Sequence, residues 1–257
     1  MITHTKPTSD CIPGFWEIPD NDIQITSNEN ISIINPLPNV MRIDNFLSEQ
    51  TCDELVKLFQ ESNIAEPVSV NGLKDQNYGI GSVRATGWSE QLANRIQSIL
   101  LPHLEQHKHC NPFTATDFWQ YVDESFCDDW KPIGVSPMLR FMRYNEDSEH
   151  FAHYDAGFFY PDSVYRTLKS MVIYLTTNDS GATRFIDDDQ SDVHVWNRKH
   201  DDWNRRVYDS EVIYSSYPQK GSVLLFDHRL CHDVQQYDGK SGDRIIIRGD
   251  IIYETII

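Results

Sequence analysis

From about residue 135 onward the chain changes character. Short β-rich runs follow one another, separated by turn residues and, for most of the way, by no helical stretch. They are MLRFMRY (138–144), SMVIYLTT (170–177), ATRFI (182–186), EVIYSSY (211–217), SVLLF (222–226) and RIIIRGDIIY (244–253). Strands in such a series fold into a sandwich or barrel. Upstream the pattern differs. VMRIDNF (40–46) reads as a strand, and Ser48 can then cap a helix with Cys52, Leu55, Val56 and Phe59 at i, i+3, i+4 and i+7. A second helix begins near Ser89 and carries Leu92, Ile96, Ile99 and Leu100 on one stripe, and Pro102 is expected to end or kink it. Residues 1–38, rich in Pro, Asn, Asp and Thr, have no sustained periodicity and read as an irregular arm.

Helices before a β half predict an α+β fold, a jelly roll (double-stranded β-helix) core braced by N-terminal helices. The expected organisation is one domain over 39–257, with helical support in 39–134 and the jelly-roll core in 135–257. At 257 residues the chain is long enough for one substantial core. The polar segment 187–206 is too hydrophilic for a core strand and reads as an insertion loop or lid.

Charge narrows the function. With 22 Lys and Arg against 39 Asp and Glu, the formal charge is −17. Such a field repels a phosphate backbone, so duplex nucleic acid is not an expected partner. No apolar run approaches the roughly 20 residues that span a bilayer, so no membrane partner is expected. The N-terminus lacks the basic start and apolar stretch of a signal peptide, and a cytoplasmic location is the expectation. The five cysteines (11, 52, 110, 127 and 231) form no CxxC pair, which points to scattered free thiols rather than zinc or disulfides.

A two-His-one-carboxylate triad binds Fe(II) on one face and leaves positions open. Its local sign is His-x-Asp or His-x-Glu near a strand end, where residues i and i+2 point the same way. With 10 His and 39 acids in 257 residues, chance supplies about 1.5 such matches. The chain has three: His103–Glu105, His153–Asp155 and His200–Asp202. The first ends a predicted helix and the last lies in the polar loop. Only His153–Asp155 comes after a predicted strand. A third ligand must come from a later strand, where GSVLLFDHRLCHDV offers both His228 and His232.

Four segments, in order, resemble the prolyl 4-hydroxylase-like branch of the Fe(II)/2-oxoglutarate dioxygenases. RYNEDSEHFAHYD is similar to the family's RY…HxD segment. MVIYLTTNDSGATRF is similar to its YLN…GGxTxF hairpin, and KGSVLLFDH to its KGxALLF strand. HDVQQYDGKSGDRIIIRGDIIY is similar to its H…V…GxK strand and the residues after it. The likeness covers roughly 135–254 and, more loosely, IDNFLSEQTCDELVKLF. It implies iron ligation by His153, Asp155 and His232. It implies that Arg244 holds the C5 carboxylate of 2-oxoglutarate, with Tyr144 and Thr183 assisting. The sequence departs from the pattern in having a single glycine (Gly181) in the hairpin. It also has Arg for the usual Lys, and about two extra residues between His232 and Arg244. Arg248 shares a strand face with Arg244 about 13 Å away and competes for the same role.

The resemblance further implies an oxygenase that uses Fe(II), 2-oxoglutarate and O2, with succinate and CO2 as co-products. A carboxylate at 155, where related halogenases carry a small residue, implies hydroxylation. The substrate stays open among a small molecule, an amino acid and a peptidyl (prolyl-type) group. Segments 111–130 and 187–206 either frame it or, for the aromatics of the first, pack the core. Arg166 and Lys169, just past the metal loop, are candidates to meet an anionic substrate group. The competing class is a cupin-like protein that binds a metal or small molecule without catalysis or with different chemistry.

Overall fold

The computed structural model describes residues 4, 6–7, 12, 15–19, 23–68, 79–106, 130–158, 160, 164–188, 205–228 and 230–255. The upstream part contains β1 (Phe15–Glu17), β2 (Ser32–Leu37), β3 (Val40–Asp44), α1 (Glu49–Ser62), β4 (Glu66–Pro67), β5 (Gly79–Ile80), β6 (Val83–Trp88) and α2 (Glu90–Gln106). Then come β7 (Trp130–Val135), β8 (Met138–Tyr144), β9 (Glu149–His153), β10 (Tyr165–Tyr174) and β11 (Thr183–Ile186). The chain closes with β12 (Val212–Ser216), β13 (Val223–Asp227), β14 (His232–Val234) and β15 (Arg244–Thr255).

Strands β8 to β15 form the jelly roll. One sheet runs β8-β15-β10-β13 and the facing sheet β9-β14-β11-β12. The chain therefore passes back and forth between the sheets as it advances. The larger sheet is extended at one side by β6, β1 and β4 and at the other by β3 and β2, and β7 pairs with the far part of β15. Strand β5 borders β9 in the smaller sheet.

Strand periodicity divides the core in two. Ile245, Ile247 and Ile251 of β15 face the helices, with Met171 and Ile173 of β10 and Val223 and Leu225 of β13. Against them pack Cys52, Leu55, Leu58 and Phe59 of α1 and Leu92, Ile96, Leu100 and Leu104 of α2. The alternate residues Ile246, Val172, Tyr174, Leu224 and Phe226 turn into the roll, where they meet Phe185 and Val234 of the smaller sheet. Both faces of the larger sheet are thus buried. That is why its strands read as continuous apolar runs rather than as alternation.

The helix starts agree with the capping logic. The Ser48 hydroxyl accepts from the Thr51 amide at 3.2 Å, and the Ser89 hydroxyl from the Leu92 amide at 3.0 Å. Helix α2 does not end at Pro102 but continues to Gln106. The proline forfeits one backbone bond, while Leu100 and Leu104 on either side of it keep the helix seated on the core.

Residues 1–38 are not wholly irregular. Strand β2 pairs with β3 as the outer edge of the larger sheet, and β1 runs parallel to β6. Neither has a readable period. Strand β1 has three residues, and β2 contains Pro36, a residue confined to sheet edges, with a register shift between Ile34 and Leu37. Among the described residues no helix is long and apolar enough to cross a membrane. Cys52 and Cys231 are buried free thiols.

Candidate metal centre and co-substrate pocket

A cavity of about 320 Å³ lies between the two sheets. His153 ends β9 and His232 begins β14, and the two are direct cross-strand partners. Their rings stand 4.2 Å apart between centroids. Asp155, two residues beyond His153, completes the cluster, with one ligand atom from each residue within 4.8 Å of the others. The His153 Nδ1 lies 2.7 Å from the Phe151 carbonyl and the His232 Nδ1 2.9 Å from the Leu230 carbonyl. A carbonyl only accepts, so each Nδ1 carries the proton and each Nε2 keeps its lone pair for a metal.

The Asp155 carboxylate is oriented from behind. Its Oδ1 lies 3.0 Å from the Arg248 guanidinium, and its Oδ2 accepts from the Ser170 hydroxyl. Arg248 also lies 3.1 Å from Asp250, which meets Arg140 at 3.1 Å and the His228 ring at 3.2 Å. His228, the other candidate for distal ligand, therefore lies against Asp250 and not in the triad.

Burial alone would raise the Asp155 carboxyl. The Arg248 guanidinium, then His232 and His153, outweigh burial and hold it well below the usual carboxylate range. Burial, reinforced by the neighbouring His153, pushes His232 down to about 3. A carboxylate and a neutral imidazole are the forms a divalent metal needs.

The opposite end of the cavity holds Arg244, fully buried as the first residue of β15 and paired in register with Tyr144. The extra residues before it are taken up in the turn between β14 and β15, where Gly239 and Gly242 adopt positive φ. Its guanidinium lies 4.3 Å above the Tyr144 ring, and its Nη2 is 3.4 Å from the Thr183 hydroxyl. Its Nε and Nη1 have no hydrogen-bond partner among the described residues. The lone hairpin glycine matters here. Gly181 has φ 70°, and a Cβ on it would stand 3.0 Å from the Arg244 Cδ. The Tyr144 hydroxyl lies 3.5 Å from the His150 Nδ1, and Tyr174 donates to the Thr183 hydroxyl at 3.0 Å.

All six residues singled out in the sequence for iron or co-substrate line this one cavity. Arg166 and Lys169 do not. Both are buried in β10 outside the cavity wall, Arg166 lying 4.7 Å over the Trp130 ring. Position near the metal loop misled because β10 begins earlier than its apolar run. His103 lies on α2, whereas His200–Asp202, residues 107–129 and most of the 187–206 insertion lie outside the described residues.

The cavity also holds residues without a readable signal in the sequence, among them His150, Arg84 and Arg140. His150 is three residues from His153, a spacing that alternation sends to opposite faces. Pairing of β9 with β14 shifts register between His153 and His150, and this bulge turns both inward. Burial, then the neighbouring His153 and Arg244, pushes His150 down to about 3. Arg84 gave no signal because β6 itself gave none.

No family model matches the sequence, and no curated protein matches it. Solved structures to which it is similar include a viral collagen prolyl hydroxylase from Paramecium bursaria Chlorella virus-1, in its 2OG complex. That match has 18% identity over 84% of this chain and 97% of the other, with a TM-score of 0.48. A prolyl-4-hydroxylase from Pseudomonas putida matches at 14% identity over 83% and 91%, TM-score 0.45. A Trichoplax adhaerens prolyl hydroxylase, in complex with a hypoxia inducible factor peptide fragment, matches at 15% over 84% of each chain, TM-score 0.49. Likeness this distant fixes no reaction. The strand order and the side-chain geometry have to carry it.

Proposed function

We propose that the protein is a non-haem Fe(II) oxygenase that uses 2-oxoglutarate and O2. It hydroxylates an unactivated C–H bond of a small-molecule, amino-acid or peptidyl (prolyl-type) substrate and releases succinate and CO2. One observation carries this reading. A His–Asp–His cluster with both Nδ1 atoms bound to backbone carbonyls shares a cavity with a fully buried arginine whose Nε and Nη1 have no hydrogen-bond partner among the described residues. A buried, under-satisfied guanidinium is costly. A carboxylate brought by a ligand removes that cost, and the metal cluster is where the ligand's other end belongs.

The donor set fits the iron. Two imidazoles and one carboxylate on one face suit Fe(II) and leave positions for co-substrate and O2. Bound there with 2-oxoglutarate and O2, the iron supplies the oxidising power for C–H cleavage. The chain's residues do the rest. His153, Asp155 and His232 hold the metal. Arg248 and Ser170 fix the plane of the Asp155 carboxylate. Arg244 binds the C5 carboxylate of 2-oxoglutarate, supported by the Tyr144 ring and the Thr183 hydroxyl. Val172, Phe226, Val234 and Ile246 line the cavity with apolar surface and keep water from the reacting centre.

The test is an anaerobic titration of 2-oxoglutarate into the Fe(II)-loaded protein, following the metal-to-ligand absorption band. The band is expected to appear and saturate. Its absence from protein shown to hold iron would sink the reading. Screening compounds for stimulated succinate release then narrows the substrate.

A further inference from the structure

Four arginines line the cavity: Arg84, Arg140, Arg244 and Arg248. In a chain of formal charge −17 this is a local reversal of sign. Strand register explains the grouping. Arg84 of β6 stands opposite Met142 of β8, which stands opposite Ile246 of β15, and the next inward row is Thr86, Arg140 and Arg248. All project from one face of the larger sheet into the same space.

Three of the four have an assigned partner. Arg248 meets Asp155 and Asp250, Arg140 meets Asp250, and Arg244 has the co-substrate carboxylate under the reading proposed above. Arg84 has none. Among the described residues it makes no ion pair and no hydrogen bond through its side chain, and its cross-strand neighbour Glu66 is exposed and unpaired with it. Burial, then repulsion from Arg140 and Arg248, lowers its pKa to about 10, so it is still a cation at neutral pH. The charge balance agrees. With divalent iron and dianionic 2-oxoglutarate in place, six positive charges face four negative ones, counting the four arginines and the Asp155 and Asp250 carboxylates.

We infer that the substrate is a small molecule bearing an oxyanion, a carboxylate or a phosphate, and that Arg84 binds it at the side of the cavity formed by β6 and β8. This rests on the oxygenase reading. A guanidinium fork suits either anion, and holding the anion at Arg84 leaves the rest of the substrate directed toward the metal. A long polyanion is disfavoured, because the acidic surface repels it before any one phosphate reaches the cavity. The anion-binding role thus moves from Arg166 and Lys169, which the fold turns away, to a strand upstream of the jelly roll.

The experiment uses the Fe(II) protein saturated with 2-oxoglutarate under anaerobic, low-salt conditions, with the absorption band reporting that the co-substrate is in place. Acetate, methyl phosphate and the neutral isostere acetamide are titrated calorimetrically into wild type, Arg84→Gln and Arg84→Lys. Anion binding without acetamide binding is expected, weakened roughly tenfold or more by Arg84→Gln and partly kept by Arg84→Lys. Preference for acetate assigns a carboxylate substrate, and preference for methyl phosphate assigns a phosphate ester. Equal binding of acetamide, no anion binding, or unchanged anion binding in Arg84→Gln overturns the inference while the band stands. A missing band with iron bound brings down the oxygenase reading and this inference with it. Among the described residues Arg84 has no ion-pair or hydrogen-bond partner to lose, so Arg84→Gln is expected to unfold no earlier than wild type, and that thermal midpoint confirms a folded variant.

Discussion

Arg244 and Arg248 share a strand and a face, both are largely or fully buried, and their environments are opposite. Arg248 is surrounded by Asp155, Asp250 and Ser170, all within 3.2 Å. Arg244 has an aromatic face and one hydroxyl at 3.4 Å, and its Nε and Nη1 have no hydrogen-bond partner among the described residues. A buried cation that the chain itself neutralises is architecture. One left open is a receptor for something the chain does not contain. Strand alternation could not separate the two, and in the sequence only the resemblance favoured Arg244, with Arg248 left as its competitor.

The comparison breaks most severely if the metal cluster is not what Arg244 faces. His153→Ala, Asp155→Ala and His232→Ala are each expected to abolish the Fe(II)- and 2-oxoglutarate-dependent absorption band and turnover. His228→Ala is expected to retain most of both, with some loss of stability from the Asp250 network. A dead His228→Ala beside an active His232→Ala would reverse the choice of distal ligand.

Arg248→Ala should act first on stability. Removing one member of a buried pair costs about 3–5 kcal/mol. Relief of repulsion on Arg140 and Arg84 moves the expectation to the lower end. The pH dependence carries a sign. Burial alone would raise the Asp250 carboxyl, but Arg248 and then His228 and Arg140 hold it below its ordinary value. A carboxylate depressed in this way stabilises the fold fully above its unfolded pKa of about 3.9, and that contribution is lost as pH falls through the folded value. In the metal-free variant the carboxyl pKa rises. The stability deficit against wild type should therefore be full at pH 7 and smaller at about pH 3, below the unfolded pKa. Urea unfolding at both pH values measures it, and a deficit that grows on acidification would contradict the pairing.

Arg244→Ala is expected to do the reverse, leaving stability near wild type and weakening 2-oxoglutarate by roughly one to two powers of ten. Arg244→Lys should recover part of the affinity. An unchanged affinity in Arg244→Ala with a collapsed one in Arg248→Ala would exchange their roles.

The jelly roll and the His153–Asp155 pair were legible because apolar runs and the His-x-Asp spacing follow strand periodicity directly, whereas His232 was preferred to His228 only through the family resemblance. MLRFMRY is β8 residue for residue, and His153, Asp155 and His232 meet where the strand order brings β9 and β14 side by side. What was not legible depended on irregularity or on brevity. His150 turns inward only through a register shift. Strands β4, β5 and β14 have two or three residues, too few to show a period. Strand β6 carries Arg84 within VRATGW, a mixture that reads as a loop until β8 lies beside it. The polar start of β10 hid a buried stretch, and Arg166 and Lys169 were misread with it.

The smallest expected effect belongs to Ser170, the one neutral member of the Arg248 environment. Its hydroxyl donates to the Asp155 Oδ2 and accepts from the Arg248 Nη2 at 3.2 Å, and it is fully buried. Ser170→Ala removes both bonds and leaves the two ion pairs of Arg248 in place. The carboxylate loses a constraint on the oxygen nearest His232, not its charge compensation. Outer-shell partners of metal ligands are typically worth 10–100-fold in metal affinity. With Arg248 still holding the other oxygen, the low end is expected, a weakening of Fe(II) binding by about tenfold. Once iron is saturating, 2-oxoglutarate affinity should be unchanged, because Arg244 lies at the far end of the cavity. Competition against a metal-sensitive dye gives the first quantity and the anaerobic absorption titration the second. A Ser170→Ala protein that binds iron normally but loses 2-oxoglutarate would mean that this end of β15, and not the Arg244 end, receives the co-substrate.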